Sequence, residues 1–297
     1  MTPPSGLGAW VAYKPAAVET TLVGCGFSWV APRAGFNGWN DPGCSAGQLI
    51  AYRRAGLRVY PWIYPTPLGV SAAVEGFRRL HQLGICDGLI VDAEAEWCAD
   101  GMGVVAASFV AQLRAACPDA WIAHAPMDYV ANHPLFPWAE FGALDAVLPQ
   151  VYAFEHNDQG HAHHLDATDH QWRSFEASHP SAAPPRSPVG CTYRPPSRGG
   201  HPLPPWPDQG ARVAADVAAF LDHPIVRASR APSLYSIEAA PPEVLALLRA
   251  RSIAATSDTE PPPQTLPSPQ LRPDDWAPQT SATTATDGLV PEAPEDT

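Results

Sequence analysis

Three acidic residues stand at every second position after an apolar run: Asp92, Glu94 and Glu96 follow residues 88–91. Alternate side chains of a β-strand share one face, so a strand here would align the three carboxyl groups, about 6–7 Å apart. Such a row costs free energy to bury unless the acids are paired or do chemistry. Neighbouring carboxylates raise one another's pKa, so one can keep a proton near neutral pH. The pattern favours an acid–base site over a set of solvated acids at a strand end.

Strand-like and helix-like segments alternate along the chain and must position these acids. The predicted strands are residues 8–13, 27–33, 57–64, 87–96, 120–125, 146–154, 188–193 and 233–238. The predicted helices are residues 16–23, 45–55, 71–83, 104–117, 134–144, 166–177, 210–221 and 242–251. Eight such pairs predict an α/β fold, a (β/α)8 TIM barrel over residues 1–255. A doubly wound open sheet is the competing fold, but no Gly-rich phosphate turn follows the first strand.

The last part of the chain, residues 256–297, has a different composition. It contains nine prolines, eight acidic residues and one arginine, so it holds about −7 of the net charge of −12. We expect a disordered, acidic, Pro/Thr-rich tail, able to serve as a tether or a protein-docking arm. The remainder of the chain is near −5, so we expect no binding to nucleic acid or to an anionic membrane.

Other features bear on where the protein acts. The first residues lack the basic and apolar regions of a signal peptide, and no apolar run reaches membrane-spanning length. We therefore expect synthesis in the cytoplasm, with a phage virion or release by lysis or non-Sec export as the possible context. Six dispersed cysteines without a C-x-x-C pair predict free thiols.

The active site of a TIM barrel gathers residues from the C-terminal ends of its strands. Aromatic rings there stack on the apolar faces of sugars, while acids and amides bind sugar hydroxyls. The predicted strand ends are rich in both kinds of residue, which favours a polysaccharide substrate. The candidate substrate-binding residues are Trp10, Trp29, Trp62, Tyr64, His124, Gln150, Tyr193, Tyr235 and Glu238.

Two segments resemble a known family. Residues 87–94, Asp-Gly-Leu-Ile-Val-Asp-Ala-Glu, resemble the D-G-x-D-x-D-x-E signature on the fourth strand of chitinase-type (family 18) glycoside hydrolases, and residues 148–152 resemble their sixth-strand Tyr segment. The resemblance implies that Glu94 is the general acid, that Asp92 orients Glu94 and the substrate N-acetyl group, and that Tyr152 contacts the transition state. Ile90 replaces one acid of the signature, and Ala153 stands where the family usually has Asp.

The shorter Asp-x-Glu motif is also similar to family 25 lysozyme-like muramidases, although their first-strand acid is absent from residues 10–13. Glycoside hydrolysis needs a protonated acid plus a second carboxylate or the substrate's own acetamide. Glu96 is the leading candidate for that second catalytic carboxylate, and Glu238 follows. We therefore predict a divergent glycoside hydrolase that cleaves a peptidoglycan-like or chitin-like N-acetylhexosamine polysaccharide, without a cofactor or metal.

Three alternatives remain open. A catalytically degenerate barrel could act as a glycan-binding or structural module of a virion or secretion apparatus. The histidines of residues 156–170, with His124 and Asp92, could form a metallohydrolase site. Cys191 or Ser236 could act as a nucleophile, but no Gly-x-Ser-x-Gly elbow is present.

Overall fold

A computed structural model describes residues 3–12, 18–41, 43–127, 129–153, 159–195, 197–198, 201–202 and 206–256. The predicted tail lies outside these residues except for Thr256, with which the last helix ends. Residues 156–158 of the histidine-rich segment also lie outside them. No helix in the described part of the chain is long and apolar enough to span a membrane.

Short parallel strands form the centre of the fold. They are β1 (Gly8–Val11), β2 (Trp29–Phe36), β3 (Arg58–Val59), β4 (Trp62–Tyr64), β5 (Leu89–Val91), β6 (Ile122–His124), β7 (Ala146–Val147), β8 (Gln150–Val151), β9 (Val189–Cys191) and β12 (Ser233–Tyr235). A small antiparallel hairpin, β10 (Ser197–Arg198) with β11 (His201–Pro202), lies between β9 and β12 in the chain. Prolines at positions 61 and 149 interrupt the third and sixth barrel strands, because proline has no N–H to donate to a ladder.

The parallel strands form a closed ring. The order of the strands is β7-β6-β5-β4-β2-β1-β12-β9-β8. The first and last strands of this order, β7 and β8, are the two halves of one segment, residues 146–151, which closes the ring. That segment bonds on both sides: Leu148 N donates to His124 O at 2.7 Å, and Ser187 N donates to Val147 O at 2.9 Å. The fold is therefore the predicted (β/α)8 barrel.

The helices alternate with the strands. They are α1 (Val18–Gly24), α2 (Ala46–Arg54), α3 (Val70–Gln82), α4 (Met102–Ala116), α5 (Trp138–Phe141), α6 (His161–Ser178), α7 (Gln209–Asp222), α8 (Pro224–Ala228) and α9 (Pro242–Thr256). The α3 helix shows how they pack, since Ala73, Phe77 and Leu80 recur at helical spacing and are buried. Burial of such stripes against the barrel leaves the loops that follow the strands free to build a site.

Several predicted boundaries differ from the observed ones. The predicted helix 134–144 is only the single turn α5, because Pro134 and Pro137 hold its first half outside the helix. The α6 helix begins at His161, five residues before its predicted start, so part of the predicted histidine loop is helical. The fourth barrel strand ends at Val91, and a 3₁₀ turn covers Ala95–Trp97.

Candidate active site

A cavity of about 960 Å³ opens where the barrel strands end. Its lining mixes carboxylates, aromatic rings and a few polar side chains, which are Trp10, Arg33, Gly35, Phe36, Asn40, Asp41, Trp62, Tyr64, Asp92, Glu94, Glu96, Met127, His133, Gln150, Tyr152, Tyr193 and Tyr235. The four residues predicted to be catalytic, Asp92, Glu94, Glu96 and Tyr152, are all among them. Strand ends of a barrel converge on one mouth, which explains how residues 60 positions apart meet here.

The side chain of Gln150 joins the first two acids. Its Nε2 donates to Asp92 Oδ1 at 2.7 Å and to Glu94 Oε1 at 2.8 Å. Gln150 and Asp92 are buried, while Glu94 is partly exposed and closer to solvent. The deeper acid is therefore held in place, and the outer acid can reach a ligand in the cavity.

Burial, followed by the nearby charge of Glu94, raises the pKa of Asp92 well above its usual value. A side-chain hydrogen bond with Glu94 raises the Asp92 pKa further, and the bond from Gln150 opposes the rise. A hydrogen bond between two carboxyl groups needs a proton on one of them. The pair therefore holds one proton in a range where an isolated aspartate is ionised.

The third acid, Glu96, lies in the 3₁₀ turn and is exposed, so it does not continue the strand as predicted. The turn is anchored by buried Trp97, whose Nε1 donates to Pro65 O at 2.7 Å. This turn still leaves Glu96 on the cavity wall, where Tyr64 OH donates to Glu96 Oε2 at 2.5 Å. Burial and this hydrogen bond raise the pKa of Tyr64, so the phenol stays protonated and remains a donor.

Aromatic rings form the walls of the cavity. Tyr152 and Tyr235 stack with ring centroids 5.1 Å apart, and Tyr193 packs beside Tyr235 at 6.3 Å. Trp10 and Trp62 lie 5.8 Å apart in a tilted arrangement. Such rings suit the C–H faces of sugars, but Trp10 and Trp62 are almost entirely buried, so sugar binding to these walls stays a prediction.

The two tryptophans are fixed by hydrogen bonds. Trp10 Nε1 donates to Ser233 Oγ at 3.0 Å, and Trp62 Nε1 donates to Ala31 O at 3.1 Å. Of the predicted substrate-binding residues, those that line the cavity are Trp10, Trp62, Tyr64, Gln150, Tyr193 and Tyr235.

Trp29, which was predicted to bind substrate, does not line the cavity. Trp29 is the first residue of β2 and is fully buried at the opposite end of the strand from the cavity. Its ring covers Gly8, where an added Cβ would lie 2.0 Å from the indole, and it packs edge-on against Tyr60. Residues 27–33 were predicted as the strand, but β2 continues to Phe36, which moves the strand end away from Trp29.

His124 does not line the cavity either. Its ring is buried and stacks on Phe141 at 4.5 Å and on Phe136 at 5.5 Å. Its Nε2 lies 3.3 Å from Ala93 O, which ties β6 to the segment that bears the acids. Burial lowers the pKa of His124 to about 3, so the imidazole is neutral and structural in this position.

Glu238 is the third predicted residue outside the cavity lining. It lies in the 3₁₀ turn Ile237–Ala239, and its Oε1 accepts a hydrogen bond from Ala12 N at 2.6 Å. This contact connects the ends of the first and eighth barrel strands. The chain turns directly after Tyr235, and this turn is why a residue three positions later does not face the cavity.

The prediction of binding residues missed one side of the cavity. Phe36 lines it as the last residue of β2, which is longer than predicted, and Asn40 and Asp41 line it from the loop that follows. Arg33, at the end of the predicted strand, lies on the same side. The aromatic residue Phe36, directly after the Arg33-Ala34-Gly35 segment, is the signal that could have indicated this extension. Arg33 Nε lies 2.7 Å from Asp41 Oδ2, so these two side chains form an ion pair in the wall.

No group of three or more His, Cys, Asp or Glu side chains within the described ranges is arranged to hold a metal ion. His161 and His164 are buried in α6. The Nδ1 of His161 pairs with Asp216, and the Nδ1 of His164 bonds to Tyr129 OH. These two histidines therefore serve packing between helices and loops. All six cysteines are free thiols, as predicted.

No protein-family model and no curated protein sequence matches this chain. Its fold is similar to that of several solved enzymes. A chitinase from Chromobacterium violaceum aligns at 14% identity and a TM-score of 0.56, with 84% of this chain and 99% of the chitinase covered. A family 18 chitinase from Flavobacterium johnsoniae aligns at 8% identity and 0.56, with 86% and 96% covered.

A third similar structure is a family 128 endo-β-1,3-glucanase from Amycolatopsis mediterranei, solved with laminaripentaose. It aligns at 14% identity and a TM-score of 0.52, with 83% of this chain and 99% of the glucanase covered. At these identities the similarity concerns the fold alone. What the chain shares with these three glycoside hydrolases is the barrel fold, which the resemblance of residues 87–94 also implied.

Proposed function

We propose that this protein is a glycoside hydrolase that cleaves an N-acetylhexosamine polysaccharide of the chitin or peptidoglycan type. The observation that carries the proposal is the bridge that Gln150 makes between Asp92 and Glu94 within the cavity, where burial and Glu94 raise the pKa of Asp92. A glycosidase needs a carboxyl group that stays protonated until the leaving oxygen departs. The similar folds of two chitinases and a glucanase support the same class of reaction.

Glu94 is the general acid in this mechanism, because it is the partly exposed member of the pair. Its proton passes to the glycosidic oxygen as the C–O bond breaks, which leaves a carboxylate. The pair has then given up its shared proton, and the Gln150 amide stabilises this carboxylate by a hydrogen bond. Glu94 afterwards acts as the base that removes a proton from the attacking water.

The positive charge on the sugar needs a partner on the other side of the bond. In this proposal it is either the substrate's own acetamide, oriented by Asp92, or the carboxylate of Glu96. Tyr152 contacts the reacting sugar from the cavity wall, where its ring is held by stacking on Tyr235. Because Glu96 is already hydrogen-bonded to Tyr64, its carboxylate is positioned before the substrate arrives.

Two departures from the family pattern favour the alternative of glycan binding without turnover. Ile90 is fully buried in β5 at a position where the signature has an acid, and Ala153 is buried after Tyr152. Neither side chain can supply a charge or a hydrogen bond to the reacting centre. Binding without cleavage is therefore the outcome that the experiment must separate from hydrolysis.

The test is incubation of the full-length chain with chitin oligosaccharides, peptidoglycan fragments and β-1,3-glucan oligosaccharides, followed by mass spectrometry of the products. We expect hydrolysis of a hexosamine polymer and a loss of about 10²–10⁴-fold in Glu94→Gln, with ligand binding retained. Glu75→Gln, which changes an exposed acid on α3, is the matched control and should leave turnover unchanged. Binding by wild type without any product would establish the glycan-binding alternative.

A further inference from the structure

One side of the cavity carries an exposed aromatic ring that the catalytic mechanism does not use. Phe36 is 55% exposed and stacks almost in parallel on Tyr64, with ring centroids 5.5 Å apart. The two residues are register partners at the ends of β2 and β4. We call this pair the Phe36–Tyr64 platform. Its exposed ring face adds to the aromatic lining of the cavity.

The backbone beneath the platform is tightly held. The side chain of Asn40 accepts from Phe36 N at 3.2 Å and donates to Phe36 O at 2.9 Å. Gly35 makes room for this clamp, since a Cβ there would lie 2.1 Å from Asn40 Oδ1. An exposed ring on a clamped backbone loses little conformational entropy when a ligand covers it.

A second set of bonds ties the platform to the neighbouring loop. Asn37 N donates to Tyr64 O at 2.8 Å, and Thr66 N donates to Asn37 Oδ1 at 2.6 Å. The two loops that carry the rings are therefore one preorganised unit. Such rigidity is expected of a binding surface and has no evident use in the barrel core.

Glu96 adds a negatively charged group at one edge of the platform. Tyr64 OH donates to Glu96 Oε2, so the carboxylate lies at the edge of the stacked rings. Four acidic residues line the cavity, and the single Arg among the described lining residues, Arg33, is paired with Asp41. The field near the platform is therefore negative, which favours a neutral or cationic ligand over an acidic one.

We infer that the Phe36–Tyr64 platform and Glu96 form a subsite for a neutral or amino-bearing hexopyranose unit and reject uronic acid units. The apolar face of the sugar stacks on Phe36, and a hydroxyl or ammonium group donates to Glu96. This inference rests on the proposed function, because it assigns one sugar unit next to the pair Asp92–Glu94.

Binding is measured by calorimetry in the Glu94→Gln background of the full chain, so that no ligand is consumed. The probes are tetramers of N-acetylglucosamine, of glucosamine and of galacturonic acid. We expect Phe36→Ala to weaken binding of the first two by about three- to tenfold. Leu68→Ala removes a fully exposed apolar side chain outside the cavity lining, and it should leave all affinities unchanged.

Glu96→Gln tests the charge preference separately. We expect it to reduce the preference for glucosamine over galacturonic acid oligomers by about tenfold, while Phe36→Ala leaves that ratio unchanged. Equal affinities in Phe36→Ala and Leu68→Ala, or an unchanged ratio in Glu96→Gln, would overturn the subsite. Wild-type turnover, measured independently, reports on the proposed function: a protein that binds the tetramers but never cleaves them would contradict the hydrolase and leave the subsite standing.

Discussion

Gln150 donates its side-chain amide to Asp92 across the mouth of the barrel, at 2.7 Å. The same Nε2 lies 2.8 Å from Glu94 Oε1 and 3.1 Å from Ala125 O. A carbonyl oxygen only accepts hydrogen bonds, so this contact identifies the nitrogen of the amide. One side chain from the sixth barrel strand thereby sets the positions of both acids after the fourth.

Gln150→Glu changes the side-chain chemistry at nearly constant volume, and it should lower both stability and turnover. It removes the donor and adds a third carboxyl group beside the acid pair, which repels the other two. We expect the free energy of unfolding to fall by about 1–3 kcal/mol and turnover to fall by about 100-fold. Chemical denaturation and product analysis measure the two effects. Gln112→Glu, on the exposed face of α4, is the matched control; equal effects in both variants would refute a positioning role.

The pH dependence of stability should reveal the raised pKa of Asp92. At a pH below about 4, this carboxyl group is protonated in both the folded and the unfolded chain. At a pH between about 4 and its raised pKa, it is protonated only in the folded chain. The stability contributed by this proton is therefore lost as the pH rises, by up to about 1.4 kcal/mol per pH unit. Asp92→Asn cannot titrate, so its free energy of unfolding relative to wild type should increase with pH.

Urea denaturation of both proteins between pH 4 and 7 measures this difference. The buried His124, whose pKa is lowered to about 3, destabilises the fold as the pH falls, and it does so in both proteins. Its effect therefore cancels in the comparison. Asp100→Asn, which changes an exposed acid, is the control, and its curve of unfolding free energy against pH should be parallel to that of wild type. Parallel curves for Asp92→Asn as well would show that Asp92 titrates normally.

Trp29 and Trp62 offer a matched pair for separating stability from function, since one lies away from the cavity and the other lines it. Trp29→Phe loses the 3.1 Å bond from Nε1 to Gly6 O and part of the packing on Tyr60. We expect a loss of about 1–3 kcal/mol in the free energy of unfolding, with kcat/KM within about twofold of wild type.

Trp62→Phe also loses a buried bond, from Nε1 to Ala31 O, so it should be destabilised too. Because Trp62 lines the cavity, this variant should in addition lose about tenfold in kcat/KM. Thermal unfolding and initial rates on the active substrate report the two quantities. A large loss of kcat/KM in Trp29→Phe, with unchanged stability, would contradict this prediction. It would support the original prediction from the sequence that Trp29 binds substrate.

The barrel was predictable because its signal is local and repeated. Apolar strands and capped helices recur along the chain, as at Ser45, whose side chain accepts from Gln48 N at the start of α2. The motif at residues 87–94 likewise indicated Asp92 and Glu94. Element ends were less predictable, because contacts far along the chain decide them; Asn40 and the bulge near Gly35 extend β2 to Phe36.

The amino-acid sequence by itself determined the fold class, the acid pair and most of the aromatic residues of the cavity. Strand and helix periods, and the types of side chain at strand ends, are properties of short segments. Only the tertiary structure decided which side chains meet. It brought Gln150 between two acids, turned Glu96 onto Tyr64, and buried Trp29 and His124 in the core. The reason is physical: the direction of a side chain depends on where its strand ends and on neighbours that are remote in the chain.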